Sequence, residues 1–212
     1  MLYTQTVAPK TLELLNQLMH DTTFDSFLLV GGTSLSLQLG HRISIDLDLF
    51  SNQTFDEQKL AEYLRTKYRF ELDFIDNETV KGEIDGVKID CIAHKYPWLT
   101  APIETDGIRL ARYEDLAAMK LNAIVGNGTR IKDYIDIAFM STKMTLNQML
   151  TAYQLKYKSN GVMALKAIAY FDDINFEEPI TMLDTNKLDW KKIRKQLLSM
   201  MKYPDRIFDR MA

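Results

Sequence analysis

Three aspartates and a pair of glycines are the residues of this sequence best placed to do chemistry. In the stretch Gly31 to Phe50, GGTSLSLQLGHRISIDLDLF, Asp46 and Asp48 sit two apart in an alternating run. Ile43, Ile45, Leu47 and Leu49 are expected to point one way and Ser44, Asp46 and Asp48 the other, so both carboxylates leave one face of a strand. Neighbouring like charges repel and aspartate is a poor strand former, so a cation between them would relieve the arrangement. Mg²⁺ suits that place because it prefers carboxylate oxygens together with phosphate oxygens. The run Val87 to Ala93 has Val87, Ile89, Cys91 and Ala93 on its apolar face and Asp90 on the opposite one. Placed beside the first strand, it adds a third carboxylate. Three carboxylates around one or two metal ions suit in-line phosphoryl or nucleotidyl transfer.

The glycines supply the anion half of such a site. Gly31-Gly32 follows the apolar run Phe27, Leu28, Leu29, Val30, which reads as a short buried strand. Without a Cβ, these positions let backbone amides approach a ligand. A helix expected from Thr33 or Ser34 would turn its free N–H groups and positive dipole end toward a phosphate. Singly, a Gly-Gly pair reads as a turn and an Asp-x-Asp as a solvated strand face. Their succession places an anion site and a cation site in one compact unit.

GGTS followed by RISIDLDLF resembles the signature of nucleotidyltransferase-fold proteins. Together with a second block, LAAMKLNAIVGNGTRIKDYIDI from Leu116 to Ile137, it is similar to the abortive-infection nucleotidyltransferase toxins of AbiEii/AbiGii type. The resemblance covers most of residues 25–140. The pattern along the chain reads as α+β, a mixed sheet with helices over residues 1–105 followed by an all-helical C-terminal domain over 106–212, and the resemblance implies the nucleotidyltransferase fold for the first. The resemblance also implies transfer of a nucleoside monophosphate from an NTP to an acceptor, RNA such as a tRNA end being favoured, in a toxin with a separate antitoxin partner. In that scheme Gly31, Gly32, Thr33 and Ser34 hold the triphosphate, and Asp46 and Asp48 bind Mg²⁺. Asp90 completes the metal site and orients or deprotonates the acceptor hydroxyl. Lys120 and Asp133 belong to the active site, with Arg130 and Lys132 nearby, and Arg42 precedes the aspartate strand as the family has it. Transfer to a protein or small molecule, or a non-catalytic NTP sensor, are the alternatives.

The residues of the second block also make a physical case unaided. Lys120 shares a helix stripe with Leu116 and Ile124, where a lysine needs a partner. A triphosphate or a carboxylate such as Asp90 or Asp133 would serve, or the amine snorkels to solvent. Arg130 and Asp133, three apart, also suit a simple surface pair. Arg42 suits either a phosphate or a helix C-terminus, while His41 and His94 read as structural or surface residues.

The elements that must position these groups follow from pattern. A helix is expected from Ala8 or Pro9 to about His20, and another over 55–68. Strands are expected at 27–30, 43–50, 69–75, 78–84 and 86–93, with turns at Asp76-Asn77 and Asp85-Gly86. Tyr96, Pro97, Trp98 and Pro102 mark a connecting loop. Helices are then expected at 113–125, 129–143, 145–157, 161–171 and 187–203. The stretch Lys187 to Ala212 is basic, with Trp190, Tyr203 and Phe208 interleaved. It suits an RNA backbone, although a solvated amphipathic helix with Leu188, Ile193, Leu197 and Met200 in the core is the preferred reading.

Composition bounds the rest. The chain has 212 residues, 46% hydrophobic and 26% charged, which excludes wholesale disorder. A net charge of -3 argues against a protein that coats nucleic acid through its overall charge. One cysteine and three histidines exclude an internal disulfide and a cysteine-based zinc site. No apolar stretch reaches the ~20 residues that span a bilayer. The start, MLYTQTVAPK, lacks a basic patch followed by an apolar run, so a cytoplasmic protein without membrane contact is expected.

Overall fold

The computed structural model describes residues 1–183 and 187–211; Asp184 to Asn186 and Ala212, which fall in the expected helical domain and basic stretch, lie outside the described residues. The chain divides into two compact units. The first comprises residues 1–38, 44–97 and 102–111. The second comprises 39–43, 98–101 and 112–212.

The first unit is a seven-stranded mixed sheet with helices. Helix α1 (Pro9–Met19) has Pro at its first turn and is followed by strand β1 (Leu28–Leu29), helix α2 (Gly31–Leu39) and strand β2 (Leu47–Ser51). Helix α3 (Glu57–Tyr68) starts at Asp56, whose side chain accepts from the Lys59 N–H. Strands β3 (Glu71–Asp76), β4 (Thr79–Ile84) and β5 (Val87–Ala93) form a meander, and β6 (Ile103–Thr105) and β7 (Ile108–Leu110) a hairpin. The order across the sheet is β3-β4-β5-β2-β1-β7-β6. The β2–β5 and β1–β7 pairs are parallel and the others antiparallel.

Alternation decides which face is covered. Leu47, Leu49, Ile89, Cys91 and Val80 join Leu14, Leu15, Leu18, Leu60 and Leu64 in one buried cluster. The opposite face carries the half-buried Asp48, Phe50, Asp90 and Ile92. Cys91 is fully buried, and burial, with the Asp90 charge beside it, pushes its thiol pKa up. Asp21, also buried, ties the start of this unit to α3. Burial alone would raise its pKa, but Lys67, Tyr68, Thr23 and Tyr63 all donate to its carboxylate and hold it well below the ordinary range.

Four local expectations need correction. The strand expected from Ile43 starts only at Leu47, because the backbone before it is bonded elsewhere: the Ser44 N–H donates to the Thr6 carbonyl and the Ile43 N–H to the Thr181 carbonyl. Ile45 therefore does not face the core and is 59% exposed. The first hairpin turns at Asn77-Glu78 rather than Asp76-Asn77, with both residues at positive φ. The β6–β7 hairpin was not expected, although its Asp106-Gly107 turn carries the same signal as Asp85-Gly86.

The second unit is helical, with α4 (Tyr113–Gly126), α5 (Ile131–Met140), α6 (Leu146–Tyr157), α7 (Gly161–Ala167) and α8 (Trp190–Lys202). A capping box between Thr145 and Gln148 starts α6, and the Asn160 side chain caps α7. Lys156 and Asp115 form a buried ion pair at 2.7 Å between α6 and α4, and the amine lies 4.7 Å from the Trp98 ring centre. The Asp115 carboxylate also accepts from the Leu99 N–H, at 3.1 Å. Among the described residues no helix is long and apolar enough to cross a membrane.

Candidate active site

Parallel pairing of β2 with β5 sets Asp48 directly opposite Asp90, flanked by the Leu47–Ile89 and Leu49–Cys91 pairs of the core. Both carboxylates therefore leave the sheet face opposite the buried cluster, from neighbouring strands. Asp90 in turn stands opposite Lys81 of β4, whose ammonium pairs with it. Sequence reasoning did not single out Lys81, although the two-residue Asp85-Gly86 turn fixes the antiparallel register that brings it there.

Asp48 is set against the start of α2. The Val30 N–H donates to the Asp48 carbonyl at 2.9 Å, and the next residue, Gly31, adopts φ +66°. A Cβ on Gly31 would lie 1.9 Å from Asp48 Oδ2. No other residue allows this approach, and Gly31 and Gly32 form the first turn of α2 rather than a turn that precedes it. Thr33 and Ser34 are buried, and their hydroxyls act internally. Thr33 Oγ1 donates to the Asp46 carbonyl and lies 2.9 Å from the Ser44 hydroxyl, while Ser34 accepts from Gln38 at 3.0 Å. Thr33 is thus a positioning residue for Asp46.

On the same face, Phe50, two residues beyond Asp48, contacts His94 with ring centres 5.4 Å apart, and His94 contacts Tyr96 at 4.8 Å. Asp48 and Asp90 are brought together, but among the described residues no group of three His, Cys, Asp or Glu side chains is gathered for a metal ion. The donor set itself, carboxylate oxygens held side by side, suits Mg²⁺.

The residues of the second block lie in the helical unit and form a buried charge cluster. Lys120 of α4 contacts Asp133 Oδ1 at 2.7 Å and Asp136 Oδ2 at 2.8 Å, both on α5. Its side chain is 9% exposed, so the amine does not snorkel; carboxylates are its partners. Arg42 grips Asp136 through Nε at 2.8 Å and Nη2 at 2.9 Å and donates to the Ile43 carbonyl, so its donors meet neither a helix C-terminus nor solvent. His41 Nε2 completes the group at 2.8 Å from Asp136. Burial would raise the Asp136 pKa, yet Arg42, Lys120 and the His41 hydrogen bond hold it well below the carboxylate range. Burial pushes the His41 pKa down, and the Asp136 bond does not restore it. Burial would likewise lower the Lys120 pKa, but Asp133 and Asp136 raise it. Asp133 Oδ2 is buried without a hydrogen bond, with Arg130 Nε 3.9 Å away. Lys132 pairs with Glu178. Asp136, the centre of this cluster, was missed: it stood in the quoted block, but its burial is legible only in three dimensions, while His41, read as a structural or surface residue, is buried beside it.

The family profile described as nucleotidyl transferase AbiEii toxin, type IV toxin–antitoxin system, matches residues 13–104 and 67–207. The chain belongs to the AbiEii nucleotidyl transferase family. An uncharacterized protein of Aquifex aeolicus is 29% identical over 160 residues, 72% of this chain and 77% of that protein. A crystal structure from Helicobacter pylori assigned as a nucleotidyltransferase superposes with a TM-score of 0.60 at 16% identity, covering 93% of this chain and 96% of that one. The antibiotic-resistance factor ANT(2'')-Ia gives a TM-score of 0.55 at 13% identity, covering 71% of this chain and 89% of its own. These two likenesses establish the fold. The expected α+β architecture is thereby borne out, and the family makes this chain a nucleotidyltransferase.

Proposed function

We propose that this AbiEii-family enzyme is an Mg²⁺-dependent nucleotidyltransferase that moves a nucleoside monophosphate from an NTP onto an RNA end, acting as a toxin restrained by a separate antitoxin protein. One observation carries the reading: Asp48 and Asp90 stand opposite one another on the sheet face away from the core, with Asp48 laid against Gly31 where α2 begins. The backbone of Gly31 and Gly32, at the start of α2, would offer N–H groups to the triphosphate. Thr33 and Ser34 support that turn from within, and Thr33 sets Asp46.

Asp46, Asp48 and Asp90 would hold Mg²⁺, which when bound supplies charge neutralisation for the triphosphate and a template for in-line displacement. Asp90 orients the acceptor hydroxyl and takes its proton. The hydroxyl oxygen then bonds to the α-phosphorus as the bond to pyrophosphate breaks. Lys81 steers the Asp90 carboxylate until the acceptor engages it. In the helical unit Lys120, Asp133, Arg42 and Asp136 order α4 and α5, and the exposed Arg130 beside them is the cation most open to an anionic group.

The experiment is incubation of wild type, Asp48→Asn and Asp90→Asn with each α-labelled NTP, Mg²⁺ and total bacterial RNA. Label on RNA that the variants fail to transfer supports the reading. Label on protein moves the assignment to protein nucleotidylation. No label, with no Mg²⁺-NTP binding by calorimetry, rejects the site.

A further inference from the structure

Helix α8 is two-sided in a way that the proposed chemistry does not use. Its inner row, Ile193, Gln196, Leu197 and Met200, is buried, and Gln196 donates to the Ser141 hydroxyl at 2.7 Å. Its outer row, Lys191, Arg194, Lys195, Leu198, Ser199 and Lys202, lines a shallow groove of about 380 Å³. The helix holds the cations Lys191, Lys192, Arg194, Lys195 and Lys202 and no acidic residue. Among the described residues, no carboxylate lies within ion-pair distance of the four cations of the outer row. Arg194 instead lies over the Phe171 ring and Lys202 over Tyr203.

Like charges three and four residues apart destabilise a helix, and Lys191 repels both Arg194 and Lys195. A polyanion along the row relieves that repulsion. The i to i+4 step advances about 6 Å along the axis, comparable with the step between phosphates of an extended nucleic-acid strand. A membrane surface does not fit: the apolar face that would enter the headgroups is buried in the unit's own core, and only Leu198 is apolar on the outer row. Tyr203, 46% exposed at the helix end, adds a flat ring of the kind that stacks on a base.

We propose that the outer face of α8 is a track for the sugar–phosphate backbone of an RNA strand. This rests on the reading of the chain as an RNA-directed nucleotidyltransferase and names the surface that gives the acceptor its affinity.

The test uses the full chain and a variant with Lys191→Gln, Arg194→Gln, Lys195→Gln and Lys202→Gln, its fold checked by circular dichroism and Tm. Binding of a fluorescent single-stranded 20-mer RNA is followed by anisotropy between 50 and 200 mM salt. Each phosphate contact contributes roughly 0.7 to the slope of log K against log salt for single strands, so losing four contacts should cut the slope by about 3. Kd at 50 mM salt should rise at least tenfold, and KM for RNA in label transfer should rise by a similar factor. An unchanged slope overturns the track even if RNA is labelled, which leaves the proposed function standing. A wild type that binds RNA through α8 yet labels only protein keeps the track and removes the acceptor assignment. Displacement of the RNA by poly-glutamate at equal charge concentration would assign the face to an acidic protein surface and overturn the proposal.

Discussion

Carboxylates occupy opposite roles in the two units. In the helical unit Asp136 is fully buried, gripped by Arg42, Lys120 and His41, and its charge holds segments together. On the sheet, Asp48 and Asp90 are half-buried neighbours of like charge, an arrangement that does not by itself stabilise a fold. Asp136 is buried with several partners, whereas Asp48 and Asp90 stand side by side with like charge, which is what the proposed metal site would need. Residue type alone does not separate them, since Asp48, Asp90 and Asp136 are all aspartates within the stretch that resembles the family.

The sharpest break between the two is catalytic. Asp48→Asn or Asp90→Asn should lower the rate of label transfer on the order of 10³-fold, about 4 kcal/mol, while the Tm stays close to wild type because one of two repelling charges is removed. Asp136→Ala should do the reverse. It leaves Arg42 and Lys120 buried without their shared partner, which costs about 3–5 kcal/mol, measured by urea unfolding. Gly31→Ala forces a Cβ onto the Asp48 carboxylate at a left-handed backbone position, and a cost of about 1–3 kcal/mol is expected. In that variant activity should fall with stability, because the displaced atom belongs to the site. Thr33→Val removes the hydrogen bond to the Asp46 carbonyl and should destabilise by about 1 kcal/mol.

The gentlest test is pH. The depressed pKa values of Asp21 and Asp136 mean that their contribution is complete well above 3.8, the ordinary aspartate value, and is lost as pH falls below it. His41 is depressed below 6.5, so the unfolded chain binds its proton first and stability already declines as pH drops through 6.5. A Tm profile of wild type against His41→Phe should separate the two ranges, the upper one vanishing in the variant.

Much of this was legible beforehand for reasons that can be stated. Strict alternation over Val87 to Ala93 gave Asp90 its face, and the parallel register then set it opposite Asp48. The glycines were expected to let a ligand approach the backbone, whereas the group that the structure sets against Gly31 is the Asp48 carboxylate. Asp133 was among the partners considered for Lys120, and it is found there together with Asp136. What stayed hidden depended on distant chain segments. The Thr6 and Thr181 carbonyls hold the segment before β2 out of the sheet, so alternation failed at Ile45. Lys156 reached Asp115 across 41 positions of sequence, and no local periodicity encodes such a pairing. The β6–β7 hairpin is three residues per strand, too short for its alternation to stand out from a loop.

Cys91 has a practical consequence. The only cysteine of the chain lies sealed in the sheet core with its thiolate form disfavoured, so alkylating reagents and mild oxidants should pass it by. A cysteine introduced on the outer face of α8 or on the Asn77-Glu78 turn would then be the sole reactive thiol, and a dye or spin label attached there would report from one known place without first engineering the native residue away.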